Sequence, residues 1–318
     1  MDRRDFLKRA AALGAILAVD MKLAGEAFAK KEPVVAKGTV AGASGELVAV
    51  MGGEPEVMLQ RMLAEMGGIS KFVKNGDRVV LKPNIGWNRT PEQAANTNPQ
   101  LVGEMVKQCL AAGAKEVLVF DHTCSDWQKA YAMSGIEDAV TNAGGKMVPG
   151  NDKSYYVAVD LPKGVKITST TIHKILMDCD VWFNIPVLKH HSGAKMTAAM
   201  KNYMGIVWDR QILHKTDLQQ GIADINSWSK KPALHIVDAY RVVKANGPQG
   251  TTPDDVVTLK ALFASADPIA VDTASGKFFN QVRPDITLDD ISHIGKGQAL
   301  GLGTMNLDAV NVKRITIK

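Results

Sequence analysis

The chain has 318 residues, 46% hydrophobic and 22% charged, with a formal charge of +5. That length supports one large α/β domain or two lobes around a cleft, each with a sizeable core. The charge is mild and the aromatics do not alternate with basic residues, so nucleic acid is not an expected partner; no run of eighteen apolar residues occurs, so no stable membrane span is expected after processing.

Residues 1–29 read as a twin-arginine signal peptide. Arg3-Arg4 precede Phe6-Leu7-Lys8, a modest apolar run follows over 10–19, and Ala27-Phe28-Ala29 supplies a small-x-small cleavage pattern. Asp2 stands where such signals usually carry Ser or Thr. The expected location is therefore periplasmic or otherwise exported, and the expected first partner is the twin-arginine export machinery. Residues 30–46 are rich in Gly, Ala and Lys and read as a linker. The α/β domain is expected over 47–318.

Within that domain, 47–51 is a short apolar run and 55–66 has helical spacing ending at Gly67-Gly68. A strand over 77–82 is closed by Pro83, and Pro99 opens a helix that stops at Gly113. Residues 116–120 form a second buried strand, and 136–143 a helix. Alternation on both sides of Pro162-Lys163-Gly164 predicts a β-hairpin over 155–168. Strands follow at 181–185, 233–237 and 259–264; Asp267-Pro268 caps a helix to about 279, and 310–317 predicts an edge strand. Strands alternating with helices indicate a largely parallel mixed sheet flanked by helices.

Four of these strands hand over to polar loops: Lys82 and Asn84; Asp121-His122-Thr123-Cys124; Lys189-His190-His191; Asp238. Ligands of open α/β sheets bind outside the carboxyl ends of the strands, so parallel strands would put these loops on one rim. The stretch 183–205 is read as strand, polar loop and helix, with Lys195 and Asn202 on one helix face. Lys82, Asn84, Lys189, Lys195, Lys201 and Asn202 are the candidates for holding a small anionic ligand. One of His122, His190 or His191 is expected to act as base or ligand, with Asp121 or Asp238 orienting it. Asp121, His190, Asp238 and Asp272 form a candidate divalent metal set. The cofactor itself is not specified. Cys109, Cys124 and Cys179 contain no Cys-x-x-Cys, so an iron–sulfur cluster held by this chain alone is not expected. Met196, Met200 and Met204, spaced by four, read as core, and His235 as a core histidine.

Taken in order, Leu81-Lys-Pro-Asn84, Asp121-His122, Ile185-Pro-Val-Leu-Lys-His190, Lys201-Asn-Tyr-Met-Gly205, Val237-Asp238 and Asp267-Pro-Ile-Ala-Val-Asp272 resemble the bacterial and archaeal family catalogued as domain of unknown function 362. The resemblance implies the α/β fold and this rim as the site, and does not name a reaction. Two functions fit the residues: an exported enzyme acting on a small carboxylate or phosphorylated compound, and a non-catalytic binding protein for an anionic cofactor or metal complex.

Overall fold

A computed structural model describes residues 45–318. The signal-peptide reading, and all of the linker reading except its last two residues, lie outside that range; β1 starts at Glu46. The strands are β1 (Glu46–Met51), β2 (Arg78–Pro83), β3 (Glu116–Val119), β4 (Lys146–Met147), β5 (Tyr156–Asp160), β6 (Ser169–His173), β7 (Val181–Ile185), β8 (Val187–His191), β9 (Lys195–Thr197), β10 (Leu234–Val243), β11 (Val256–Ser265) and β12 (Asn311–Thr316). One ten-stranded sheet runs in the order β12-β1-β11-β10-β7-β2-β3-β4, with β8 and β9 branching from β10; β5 and β6 form a separate hairpin.

The central strands are parallel: β2 pairs with β3 and β7, β7 with β10, and β3 with β4. Helices cross between them. The helix Pro99–Ala111 connects β2 to β3, opened by Asn98, whose side chain accepts from Gln100 N at 2.9 Å. Both faces of the sheet are covered, which explains the unbroken apolar runs. In β2, Val80 joins the core on one face while Val79 and Leu81 join the core on the other. The helix Pro268–Phe279 starts at Asp267, which caps Ile269 N and Ala270 N at 2.8 and 2.9 Å.

Two elements depart from the sequence reading. The hairpin is β5 with β6, so its second strand begins at Ser169 and not near 165. The backbone N–H groups of Val165, Lys166 and Ile167 are instead taken by the buried Asp224 carboxylate at 2.8–3.0 Å. A backbone satisfied by a side chain needs no strand partner. The stretch after β7 is also not loop-then-helix. Pro186 breaks β7, β8 continues beside β10, and β9 folds back antiparallel on β8 with Lys189 opposite Thr197. Only a short helix, Ala199–Asn202, and a 3-10 turn, Tyr203–Gly205, follow. Lys195 is therefore an exposed strand residue at φ 66°, and it shares no helix face with Asn202. Met196, Met200 and Met204 are buried.

Candidate functional site

The parallel strands bring their carboxyl ends to one cavity of about 420 Å³. Lys82, Asn84, Asp121, His122, Lys189, His191, Lys201 and Asn202 all line it. His190, Lys195, Asp238 and Asp272 do not.

The floor is a buried polar network. Lys82, 1% exposed, lies 2.8 Å from Asp121 Oδ1 as an ion pair. Its Nζ donates to Asn202 Oδ1 at 2.7 Å and to Pro83 O at 2.9 Å. The other Asp121 oxygen accepts from Ile85 N at 2.7 Å. Asn202 Nδ2 donates to Asn184 Oδ1 and to Lys82 O. Asn184 in turn spans Ala199 O and His235 Nδ1. The Lys82 ammonium thus has three protein oxygens within 2.9 Å, two of them hydrogen-bonded and one ion-paired, and burial still pulls its pKa down. Gly205 makes room for the pair: a Cβ there would collide with Asp121 Oδ1 and Lys82 Nζ.

The two other lysines differ. Lys189 Nζ donates to Asn84 Oδ1 at 2.9 Å and to Ala95 O, and no third protein acceptor meets it among the described residues. Burial first, then the Lys201 charge, pulls it down to about 7. Lys201 Nζ has no hydrogen-bond or ion-pair partner among the described residues, and burial brings it to about 8. Arg210 adds a fourth cation to the wall, but its guanidinium pins a loop, donating to His122 O at 2.6 Å, Thr123 O at 2.7 Å and Cys124 Sγ at 3.2 Å.

Of the three imidazoles on the wall, His122, His191 and His214, the first two carry opposite tautomers. His122 Nδ1 sits 2.8 Å from Val207 O, so Nδ1 holds the hydrogen and Nε2 the lone pair. His191 Nδ1 accepts from Gly193 N and Ala194 N, both at 3.1 Å, which leaves the hydrogen on Nε2. Burial, then the Lys201 and Lys189 charges, holds His191 down to about 2, so it stays neutral. His122 therefore offers the cavity an imidazole acceptor and His191 an imidazole donor, and His214 lines it as well. His122 also stacks on Trp208, with ring centroids 5.0 Å apart and planes 2° apart. Burial and Arg210 lower its pKa below the ordinary 6.5. Because a protonated imidazole quenches a stacked indole, the emission of Trp208 is expected to fall in an acid titration whose midpoint lies below 6.5. Comparison with Trp208→Phe isolates the transition; a midpoint above 6.5 would contradict the assigned environment.

The expected metal set does not assemble. Among the described residues no three His, Cys, Asp or Glu side chains are placed to share an ion. Each member is engaged elsewhere. Asp121 serves Lys82 and Ile85 N. Asp238 accepts from Asn98 N at 2.7 Å and Tyr240 N at 2.9 Å, tying the 84–98 loop to β10. Asp272 accepts from Ala199 N and Met200 N at 2.7 and 2.9 Å and so starts the short helix that carries Lys201. Burial pushes these two carboxyls up to about 6 and about 7. His190 points its Nδ1 at Gly247 N, 3.0 Å away, outside the cavity. Neighbours on a strand face opposite ways, so only His191 of the pair reaches the wall.

Thr197, Arg210, His214 and Asn184 went unread as site residues, and Gly205 entered only within the motif 201–205. Asn184 alone left a signal, an amide inside the apolar run 181–185.

Residues 79–277 match the family described as Domain of unknown function (DUF362). A thylakoid-associated protein of Synechocystis sp. is 27% identical over 232 residues, which cover 67% of this chain and 66% of that protein. Among solved structures, the lactate racemase apoprotein of Thermoanaerobacterium thermosaccharolyticum aligns with TM-score 0.47 and 16% identity over 76% of this chain and 58% of that one. The chain thus spans just under two thirds of the length of the first and well under two thirds of the second. With more than half of its residues inside the matched region, the chain belongs to the DUF362 family.

Proposed function

We propose that the cavity binds a small anionic compound, a carboxylate or a phosphorylated molecule, and that His122 accepts a proton from it. One observation carries the reading. Among the described residues Lys201 has no acceptor of its own, yet it shares the cavity with Lys82, Lys189 and Arg210, and the one carboxylate they place on the wall, Asp121, is already paired to Lys82. Unpaired cations in one half-buried space repel each other unless a ligand or solvent offsets the repulsion. An acceptor Nε2 on His122 and a donor Nε2–H on His191, both residues lining one cavity, favour proton transfer over simple capture.

The pH dependence has a definite sign. Lys189 titrates near 7 and Lys201 near 8 in the free protein, so the cavity loses positive charge as pH rises from 7 to 9. Affinity for oxalate or inorganic phosphate is expected to fall across that window. A bound anion favours the charged lysines, so binding takes up protons. Calorimetry at pH 7.5 in two buffers of different ionisation heat measures that uptake; pH-independent affinity with no proton uptake would defeat the reading.

We also propose export by the twin-arginine route, supported by Arg3-Arg4 ahead of Phe6-Leu7-Lys8 and the Ala27-Phe28-Ala29 pattern. Changing both arginines to lysine is expected to retain the protein in the cytoplasmic fraction; unchanged fractionation would refute it.

A further inference from the structure

We infer that Lys189 is a nucleophilic amine that condenses with the carbonyl carbon of a small 2-oxo acid, whose carboxylate is held by Lys201. The inference rests on the anion-pocket reading above and adds a covalent step to it.

The geometry of Lys189 is that of an amine held for attack. A neutral lysine nitrogen keeps two hydrogens and one lone pair. Asn84 Oδ1 and Ala95 O take two hydrogens of Lys189, which lines the cavity, and the remaining position of Nζ has no protein partner among the described residues. The Asn84 amide is itself oriented, because its Nδ2 donates to Asn202 Oδ1 at 3.0 Å. The side chain is 2% exposed, which removes the water that would keep the amine charged. A second cation nearby acts in the same direction, a recognised way of activating a lysine nucleophile.

Thr197 supplies an independent observation. It faces Lys189 across the β8–β9 pairing, lines the same cavity, and is 2% exposed. Its buried Oγ1 has no hydrogen-bond partner among the described residues. A buried hydroxyl is rarely left unsatisfied, and this one belongs to a residue that lines the same cavity as the amine. Directly opposed residues of an antiparallel pair project from one face, so both side chains are directed to the cavity side of β8 and β9.

The step balances. The Nζ lone pair attacks the carbonyl carbon, forming the C–N bond while the C=O π pair moves to oxygen. Thr197 donates a hydrogen bond to that oxygen. His122 Nε2 takes the proton released from nitrogen and returns it to the oxygen. With one further proton from solvent the hydroxyl leaves as water, and a protonated imine remains.

The test is reductive trapping of the full-length folded protein with glyoxylate or pyruvate and cyanoborohydride, followed by peptide mapping. The expected result is an N-carboxymethyl or N-carboxyethyl group on Lys189, at least tenfold enriched over the exposed lysines and suppressed by inorganic phosphate. The groups acting on Lys189 are Lys201, Cys124, Asp121 and Lys82, with the neutral His191 also within reach, and burial outweighs each of them, so labelling should rise through pH 7, well before surface lysines respond. Labelling of Lys201 in its place, or equal labelling of all lysines, would overturn the inference. Phosphate binding without any Lys189 adduct would overturn the imine step alone, whereas absence of phosphate binding would strike the pocket reading. The wild-type map needs no variant; Lys189→Arg, where it folds, should abolish the adduct.

Discussion

Gly205→Ala is expected to destabilise the protein by about 3 kcal/mol or more, the cost of separating a buried ion pair. The backbone of Gly205 is in an ordinary conformation, so the constraint is space. A Cβ would collide with Asp121 Oδ1 and Lys82 Nζ and would lie 2.6 Å from Lys82 Cε. Neither partner has room to retreat. Lys82 and Asp121 are 1% and 2% exposed, and each is fastened by further hydrogen bonds to Pro83, Asn202 and Ile85. The Gly205 carbonyl also accepts from His122 N at 3.0 Å, so any backbone shift moves the imidazole as well. Urea denaturation of wild type and variant measures the loss. Gly295→Ala is the control: it lies inside a helix, and a Cβ there meets nothing within 4 Å. It should be neutral or slightly stabilising, because alanine is the better helix former. A Gly205 variant within about 0.5 kcal/mol of wild type, the range of an ordinary surface change, would mean that the pair is not held as described.

Lys201→Ala is expected to weaken binding of oxalate or phosphate at pH 7 by about tenfold to a hundredfold. A hydrogen bond to a charged group contributes about 1.5–3 kcal/mol, which corresponds to that range. The same change should leave stability unchanged or slightly raised, because Lys201 has no partner among the described residues and its removal relieves repulsion with Lys82, Lys189 and Arg210. That combination, lost affinity without lost stability, separates a binding residue from a structural one. Lys195→Ala is the matched control. It removes an exposed lysine six positions earlier that does not line the cavity, and it should change affinity by less than twofold.

The fold and the rim were legible for one physical reason. Runs such as 79–82, 116–120 and 181–185 are apolar because both faces of the parallel sheet are covered, and each ends abruptly in residues that cannot be buried without partners. Parallel pairing then places those endings together. What was not legible followed from contacts distant in sequence. The polar stretch after Pro186 has the composition of a loop, yet β10 and β9 give β8 partners on both sides, and that moved Lys195 off any helix. Asp238 and Asp272 resembled ligands because carboxylates among apolar residues need partners. Their partners are backbone N–H groups of remote segments, Asn98 in one case and Ala199 and Met200 in the other. Gly205 and Thr197 matter through the space and the orphan hydroxyl they leave, and neither property is visible without the neighbours.

A crystal structure grown or soaked with selenate tests the anion pocket most directly, because selenium reports its own position by anomalous scattering. The expected result is a selenate inside the cavity with an oxygen within hydrogen-bond distance of Lys201 Nζ and a second polar contact to His191 Nε2 or Thr197 Oγ1. A cavity empty of selenium while the anion occupies only exterior lysines would contradict the account.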